Sequence, residues 1–225
     1  MKHLNIEIPG IQGRIERDTL IVSSKEPLDV VSTSVLNGGF SSARFIINQH
    51  VKKNFSHDNP EKYLQNTAEK LGLNGHVVGM MTAADLENLS IANLSKGGLN
   101  ITAVVTGGIS NALTVGETIS NPTKNIGTIN TILLIDANLR SSARVGAIIT
   151  ATEAKCHALK KLNVKSTSGK ETATGTTTDA VVVACTGREP NLKYSGTGTR
   201  VGSLIGRAVS KATVEAVSLQ EGWAL

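Results

Sequence analysis

The segment 127–136 (Gly-Thr-Ile-Asn-Thr-Ile-Leu-Leu-Ile-Asp) most constrains how this chain can fold. Its apolar part, 132–135, is short and rich in β-branched residues, so it predicts a buried strand and not a helix. The strand begins with Thr and Asn, and a hydroxyl at the exposed end of a strand is held rigidly. We therefore consider Thr128 a candidate nucleophile.

Other apolar segments predict the elements around this strand. The sequence predicts two strands in 4–24 with a turn at Arg17-Asp18, and further strands at 28–35, 43–48, 77–83, 100–106 and 180–185. Helices are predicted at 60–71, with Asn59 as N-cap, at 141–162 and over the final segment 201–219. The segment 86–94 fits either a helix or a strand, whereas 36–39 and the Ser/Thr/Gly-rich segment 165–178 predict loops.

The order of these elements predicts the fold class. Strands come early in the chain, and the long helices come late, one with Ala residues every three or four positions for close packing on a sheet. We therefore expect an α/β (α+β) fold, a layered sandwich of mixed β-sheets flanked by helices, formed by one domain over residues 1–225.

Composition and charge exclude several functions. Aromatic residues make up only 3% of the 225 residues, which disfavours a stacking surface for single-stranded nucleic acid. The net charge of +5 is dispersed, so we expect no nucleic-acid partner, although a small anionic substrate remains compatible. The first residues have no apolar stretch and no segment has 18 consecutive apolar residues, so we expect neither a signal peptide nor a membrane span. Two cysteines in unrelated contexts indicate a reducing, cytoplasmic setting.

Three predicted strand ends run into clusters of Thr, Gly and Asn, at 104–111, 127–130 and 173–179. Each cluster alone is typical of a turn. Together they favour a pocket lined by hydroxyl and amide groups.

Alternative chemistries have weaker support. The five histidines show no metal-ligand spacing, so we expect no metal site. Cys156 and His157 are neighbours on a predicted helix and point about 100° apart, which disfavours a Cys–His nucleophile. Gly196, Gly198 and Gly202 lack the spacing of either phosphate-loop motif. His50 is a candidate ligand contact, and a surface histidine is the alternative interpretation.

Several motifs together resemble the adenosylcobinamide amidohydrolase family over about 15–215. They are Ser-Thr-Ser-Val-Leu-Asn-Gly-Gly (32–39), Thr-Gly-Gly-Ile-Ser-Asn-Ala (106–112), Gly-Thr-Ile-Asn (127–130), Thr-Glu-Ala-Lys (152–155) and Ala-Thr-Gly-Thr-Thr-Thr-Asp-Ala (173–180). The resemblance implies hydrolysis of the amide that joins cobyric acid to aminopropanol in adenosylcobinamide, a salvage step for cobalamin precursors. It implies a small corrinoid substrate and no cofactor, cobalt entering only as part of that substrate.

A second, shorter resemblance concerns mechanism. The run 127–137 is similar to the cleavage-site strand of ornithine acetyltransferases and β-peptidyl aminopeptidases, which cut their own chain before a Thr or Ser. It implies that Thr128 becomes an N-terminal nucleophile, whose α-amine, with a pKa of about 7.7–8.0, serves as the base. It also implies oxyanion donors at Thr106, Gly107 or Gly108, and a late Asp-bearing strand at Asp179.

The expected site combines residues mainly from these motifs. The candidate catalytic residues are Thr128, Thr106, Gly107, Asn130, Glu153 and Asp179. The candidate substrate-binding residues are Asn37, Gly38, Gly39, Asn48, His50, Asn111, Lys155, Thr174, Gly175 and Thr176. Lys124 and Glu153 are candidate charge partners.

Other interpretations stay open. If the chain is not cut, Glu153 or Asp179 would have to act as the base, or Thr128 would only bind substrate. An acyltransferase on the same scaffold and a non-catalytic corrinoid-binding protein are the alternatives in function. A homo-oligomer is compatible with the sequence.

Overall fold

The computed structural model describes residues 1–118, 126–169 and 171–224. Lys124 lies outside the described residues. The three α-helices of the described part are α1 (Pro60–Lys70), α2 (Ser141–Lys161) and α3 (Arg200–Glu221). Its strands are β1 (Lys2–Leu4), β2 (Ile11–Glu16), β3 (Thr19–Ser32), β4 (Gly39–His50), β5 (Val77–Thr82), β6 (Ser90–Lys96), β7 (Leu99–Gly107), β8 (Ala112–Leu113), β9 (Ile129–Ile135), β10 (Asn138–Leu139), β11 (Gly175–Thr176), β12 (Ala180–Cys185) and β13 (Asn191–Leu192).

One nine-stranded mixed sheet organises the molecule. Its order is β1-β2-β3-β12-β9-β7-β6, with β4 also paired to β3 and β5 to β4. The first half of β3 pairs with β2 and its last residues pair with β12, while β4 follows β3 over both halves. The long strands β3 and β4 therefore carry the sheet from one half to the other, with a register shift between Ser23 and Leu28.

Three buried clusters show that the sheet folds back on itself. One cluster lies between the two halves and joins residues such as Ile46 and Met80 to Ile132 and Val182. A second packs β7, β9 and β12 on α2 and α3, and a third packs α1 on β4 and β5. The result is a helix, sheet, sheet, helix layering, which confirms the predicted α/β sandwich of mixed strands flanked by helices.

The alternation of β9 directs its side chains into two of these clusters. Ile129, Leu133 and Ile135 face the helices, whereas Ile132 and Leu134 face the space between the two halves of the sheet. Successive side chains of a strand point to opposite faces, so Asn130 points with Ile132 into the inner layer. Each fully buried Ile or Leu stabilises the fold by about 1.5–3 kcal/mol. The strand that directly follows Thr128 is thus anchored on both faces.

The predicted helices are confirmed. The Asn59 side chain accepts a hydrogen bond from the Lys62 N–H at 2.9 Å, and Pro60 occupies the first turn of α1. On α2, Ala147, Ala151 and Ala158 are buried against the sheet. No helix in the described part of the chain combines the length and the apolar character needed to cross a membrane.

Four local predictions need correction. The strand predicted at 28–35 is the second half of β3, because the chain continues through 24–27 without a turn. Gly39 begins β4 and does not belong to the preceding loop. The undecided segment 86–94 divides into a short 3-10 turn, Leu86–Asn88, and the start of β6. The predicted loop 165–178 contains β11, which pairs antiparallel with β8.

Candidate functional site

Thr128 immediately precedes β9, and only 3% of its surface is exposed. Its Oγ1 lies 2.6 Å from Oγ1 of Thr178, and the Thr178 hydroxyl donates to the Gly127 carbonyl at 3.1 Å. A hydroxyl has one proton to donate, so the bond between the two threonines is then donated by Thr128. The Gly108 N–H donates to the Thr128 carbonyl at 3.0 Å and fixes the backbone at the same point.

Gly127 is held by a side-chain contact and by close packing. Its N–H donates to Asn111 Oδ1 at 2.8 Å, and Asn111 Nδ2 donates to Thr177 Oγ1. A Cβ at position 127 would lie 2.6 Å from the Gly108 carbonyl oxygen, closer than real Cβ atoms approach. Asn111, expected as a substrate contact, thus holds the segment that presents Thr128.

Asp179 connects the loop 174–179 to the start of β9. Its Oδ1 accepts from the Ile129 N–H at 3.0 Å, and Oδ2 accepts from the Thr176 N–H at 3.0 Å and from Lys155 Nζ at 2.5 Å. Only 15% of the Lys155 side chain and 14% of the Asp179 side chain are exposed. A Cβ at Gly175 would lie 2.5 Å from Asp179 Oδ2, so glycine leaves room for this ion pair. Charge-assisted bonds of this kind are strong and orient the carboxylate.

Asn48, Thr106 and Asn130 form a buried amide–hydroxyl cluster between the two halves of the sheet. Asn48 Nδ2 donates to Thr106 Oγ1 at 3.0 Å, and Asn130 Nδ2 donates to Asn48 Oδ1 at 2.9 Å and to the Met81 carbonyl at 2.7 Å. Thr106 and Asn130 are register partners on β7 and β9, so both side chains point to the same side. Asn130 Oδ1 has no hydrogen-bond partner among the described residues.

Gly107 and Gly108, the expected backbone oxyanion donors, make structural contacts at the end of β7. Gly107 pairs with Ile129 in the β7–β9 ladder and packs on Val217 of α3, where a Cβ would lie 2.8 Å from Val217 Cγ2. The Gly108 N–H is engaged by the Thr128 carbonyl. The Thr106 hydroxyl, the other expected donor, accepts from Asn48 Nδ2 and donates a long contact, 3.5 Å, to Thr82 Oγ1.

A cavity of about 370 Å³ opens over the threonine pair. Thr128, Thr178 and Asp179 line it, and the segment 51–60 contributes Lys52, Phe55 and His57 to the same lining. The described residues that complete the lining are mainly apolar and include Val35, Val51, Met80, Met81 and Ile126. Cavities of this size, with a few convergent polar groups, are typical of ligand sites.

Sequence reasoning missed two parts of this cavity. Thr178 falls within the motif 173–180 and residues 51–60 lead into a predicted helix, so neither pattern indicates a cavity residue. The sequence does carry a signal for the segment 51–60. Aromatic residues are few in this chain, and two of them, Phe55 and Tyr63, flank His57. The His57 ring lies 6.1 Å from that of Phe55 and 5.5 Å from that of Tyr63.

The structure does not bring Glu153 to Thr128. Glu153 lines a groove between α2 and α3, together with His157, Arg207 and Lys211. Lys155, two residues further along α2, lines a small cavity of about 150 Å³ with Asp179. Residues two apart on a helix do not share a face, so α2 presents the two side chains in different directions.

Other expected binding residues have local structural contacts. Asn37 adopts φ 54°, and its Nδ2 donates to the Val77 carbonyl at 2.8 Å, while a Cβ at Gly38 would lie 2.4 Å from the Ser34 carbonyl oxygen. His50 ends β4, and its N–H donates to the Asp18 carbonyl at 2.8 Å. Gly39 begins β4 with φ 84° and pairs with Ser32 of β3, and Thr174 Oγ1 accepts from the Val115 N–H at 2.8 Å.

The two cysteines lie in different surroundings. Burial raises the pKa of the Cys185 thiol to about 12, which keeps it protonated and unreactive at neutral pH. Cys156 is half-buried and its Sγ donates to the Thr174 carbonyl at 3.1 Å. Within the described ranges, no group of three or more His, Cys, Asp or Glu side chains is arranged to hold a metal ion.

Comparison with known proteins gives one family. Residues 6–224 match the profile of the family described as "adenosylcobinamide amidohydrolase". An adenosylcobinamide amidohydrolase of Methanosarcina mazei is 34% identical over 219 residues, covering 93% of this chain and 99% of its own. An uncharacterised protein of Methanocaldococcus jannaschii is 31% identical over 238 residues, covering 96% of this chain and 91% of its own. Among solved structures, a β-aminopeptidase of Burkholderia sp. aligns with a TM-score of 0.46 and 15% identity, covering 97% of this chain and 81% of its own.

Proposed function

Because the chain belongs to the adenosylcobinamide amidohydrolase family, a family of hydrolases that act on amide bonds, we propose that it hydrolyses adenosylcobinamide to adenosylcobyric acid and aminopropanol, or its phosphate. The family match over residues 6–224 is the observation that carries this function. The reaction would return a cobalamin precursor to biosynthesis. The cavity over Thr128 supports it, because a nearly buried hydroxyl there meets a space large enough for a linear amide arm.

Thr128 is the proposed nucleophile, and the Gly127–Thr128 peptide bond is the proposed site of self-cleavage. The Thr128 Oγ1 would attack the Gly127 carbonyl carbon, and the Thr178 hydroxyl, 3.1 Å from the Gly127 oxygen, would stabilise the charge that develops there. Collapse breaks the C–N bond, transfers the hydroxyl proton to the departing nitrogen and leaves an ester on Thr128. One water then hydrolyses the ester and frees both the Gly127 carboxylate and the Thr128 hydroxyl.

The new α-amine supplies the base that a threonine hydroxyl needs. A terminal amine has a pKa of about 7.7–8.0, so part of it is neutral near pH 7 and can accept the hydroxyl proton. Attack on the substrate amide gives a tetrahedral oxyanion, and the ammonium then protonates the departing amino alcohol. Water releases adenosylcobyric acid from the acyl-enzyme and regenerates the hydroxyl.

Asp179 and Lys155 hold Thr128 in position. Asp179 bonds the N–H of Ile129, the residue after the nucleophile, and its charge is balanced by Lys155. A carboxylate fixed by several donors cannot turn away when the chain end before Thr128 is released. We therefore assign both residues to holding Thr128 in place, and neither to proton transfer.

The experiment is a product assay. Purified protein incubated with adenosylcobinamide should form adenosylcobyric acid and free aminopropanol in equal amounts, measured by liquid chromatography and mass spectrometry. The variant Thr128→Ala should form neither while keeping the wild-type circular dichroism spectrum. Recovery of intact adenosylcobinamide with the wild-type protein would reject the proposed function.

A further inference from the structure

The segment 51–60 brings a cation and a hydrogen-bond donor to the cavity that Thr128 lines. Lys52 and His57 both line it, and both are exposed. None of the six ion pairs among the described residues involves Lys52. The carboxylate of Asp179 lines the same cavity and is paired with Lys155. The positive charge of Lys52 is therefore not balanced by a carboxylate of the cavity lining.

The hydrogen bonding of His57 fixes its tautomer. The Asn59 N–H donates to His57 Nδ1 at 3.0 Å, so Nδ1 carries no proton. In the neutral ring the proton then lies on Nε2, which makes His57 a donor and not an acceptor at that atom. The neighbouring rings of Phe55 and Tyr63 hold the imidazole in place. The lining of the cavity thus includes an imidazole N–H donor and an ammonium group.

The size of the cavity decides which part of a corrinoid reaches it. A volume of about 370 Å³ lies near the lower end of the range of ligand pockets, about 300–1,000 Å³, whereas a corrin ring with its amide side chains and adenosyl ligand is far larger than a drug-sized molecule. We therefore expect the linear arm with the scissile amide to occupy the cavity over Thr128. The ring must stay outside.

Charge indicates which group meets Lys52. The cobalt(III) of an adenosylcorrinoid is only partly neutralised by the corrin and adenosyl ligands, so the ring carries positive charge and is repelled by an ammonium group. A phosphate ester on the amino-alcohol arm is dianionic or nearly so at neutral pH and accepts from both an ammonium and an imidazole N–H.

We propose that Lys52 and His57 form a phosphate subsite for the departing arm, so that the enzyme prefers corrinoids whose aminopropanol carries a phosphate ester. This inference rests on the proposed function, since it assigns the arm of that same substrate. Lys53, the exposed neighbour of Lys52, does not line the cavity and offers a matched control.

The test compares kcat/KM for adenosylcobinamide phosphate and adenosylcobinamide in parallel. The quantity of interest is the ratio of kcat/KM for the phosphate to kcat/KM for adenosylcobinamide. A charge-assisted contact is worth a factor of about 10–100, so this ratio should be at least about 10 in the wild type. Lys52→Met should lower that ratio by about tenfold, Lys52→Arg should retain it, and Lys53→Met should leave it unchanged. The ratio should also fall with added salt in the wild type and not in Lys52→Met.

The outcomes separate the two proposals. If both substrates are hydrolysed and Lys52→Met keeps the wild-type ratio, the phosphate subsite is rejected while the hydrolase function stands. If Lys53→Met lowers the ratio as much as Lys52→Met, the effect comes from general surface charge and the subsite is also rejected. If neither substrate is hydrolysed, the proposed function itself fails.

Discussion

The Thr178 hydroxyl oxygen lies 2.6 Å from the Thr128 hydroxyl oxygen and 3.1 Å from the carbonyl oxygen of Gly127. One side chain thus contacts both the proposed nucleophile and the carbonyl that it would attack. Thr178 is exposed, whereas Thr128 is nearly buried. The hydrogen bond between them therefore lies at the boundary between the cavity and the protein interior.

Replacing Thr178 by Val removes this hydroxyl and keeps the shape of the side chain. We expect self-cleavage to slow by about 100-fold, because a donor to a developing oxyanion is typically worth 100–1,000-fold in rate. The measurement is a time course of uncut chain on a denaturing gel after expression. Thr178→Ser retains the hydroxyl and should cut at near the wild-type rate. Wild-type cleavage in Thr178→Val would show that Thr178 does not assist.

The pairing of Lys155 with Asp179 predicts a coupled effect on stability. Lys155→Met leaves a mostly buried carboxylate without its cation and should cost about 1–3 kcal/mol of unfolding free energy, less than a fully buried pair because both groups keep some solvent contact. Urea titrations of the single variants and of Lys155→Met/Asp179→Asn form a double-mutant cycle. Strict additivity of the two changes would contradict the coupling.

Glu153 and Asp179 give a matched pair of carboxylate substitutions. Glu153→Gln should change kcat/KM by no more than about twofold, because Glu153 lies in the α2–α3 groove and surface changes usually stay within about 0.5 kcal/mol. Asp179→Asn should lower kcat/KM by tenfold or more, since one amide cannot replace the carboxylate towards Ile129, Thr176 and Lys155. A larger loss of kcat/KM in Glu153→Gln than in Asp179→Asn would contradict this and would indicate that Glu153 belongs to the site.

Cys185 predicts a pH dependence of stability. Its thiol pKa rises from 9.0 to about 12 in the folded protein, so above pH 9 the unfolded chain loses a proton that the folded chain keeps. The unfolding free energy should therefore fall between pH 9 and 12, by up to about 1.4 kcal/mol per pH unit from this group. Other groups titrate in the same range, so the measured quantity is the difference from Cys185→Ala. An identical pH slope in both proteins would contradict this.

Strand and helix periodicity predicted most of the fold. Residues 129–135 alternate between two buried clusters, and residues 141–161 place small side chains against the sheet, so both elements follow from local pattern. The pairing of β3 and β4 does not follow from local pattern. The register shift between Ser23 and Leu28 depends on which strands each half of β3 pairs with. That pairing is a long-range property.

The site was predicted in part. Thr128 and Asp179 lie close together because they directly precede β9 and β12, which are parallel neighbours in the sheet. Thr176 and Lys155 of α2 both contact Asp179. Glu153 does not lie with these residues. It is two positions from Lys155 on α2, so the two side chains face different cavities. Local sequence pattern does not indicate that Lys52 and His57 line this cavity, because they reach it only through the tertiary arrangement of the chain.

The central claim is that Thr128 becomes an N-terminal nucleophile, and the denaturing mass spectrum of purified, active protein tests it most directly. Cleavage before Thr128 divides the 225-residue chain into fragments of 127 and 98 residues, the second beginning with Thr128. We expect these two masses, and in Thr128→Ala only the uncut chain. Fully active wild-type protein that consists of the intact chain alone would contradict the claim.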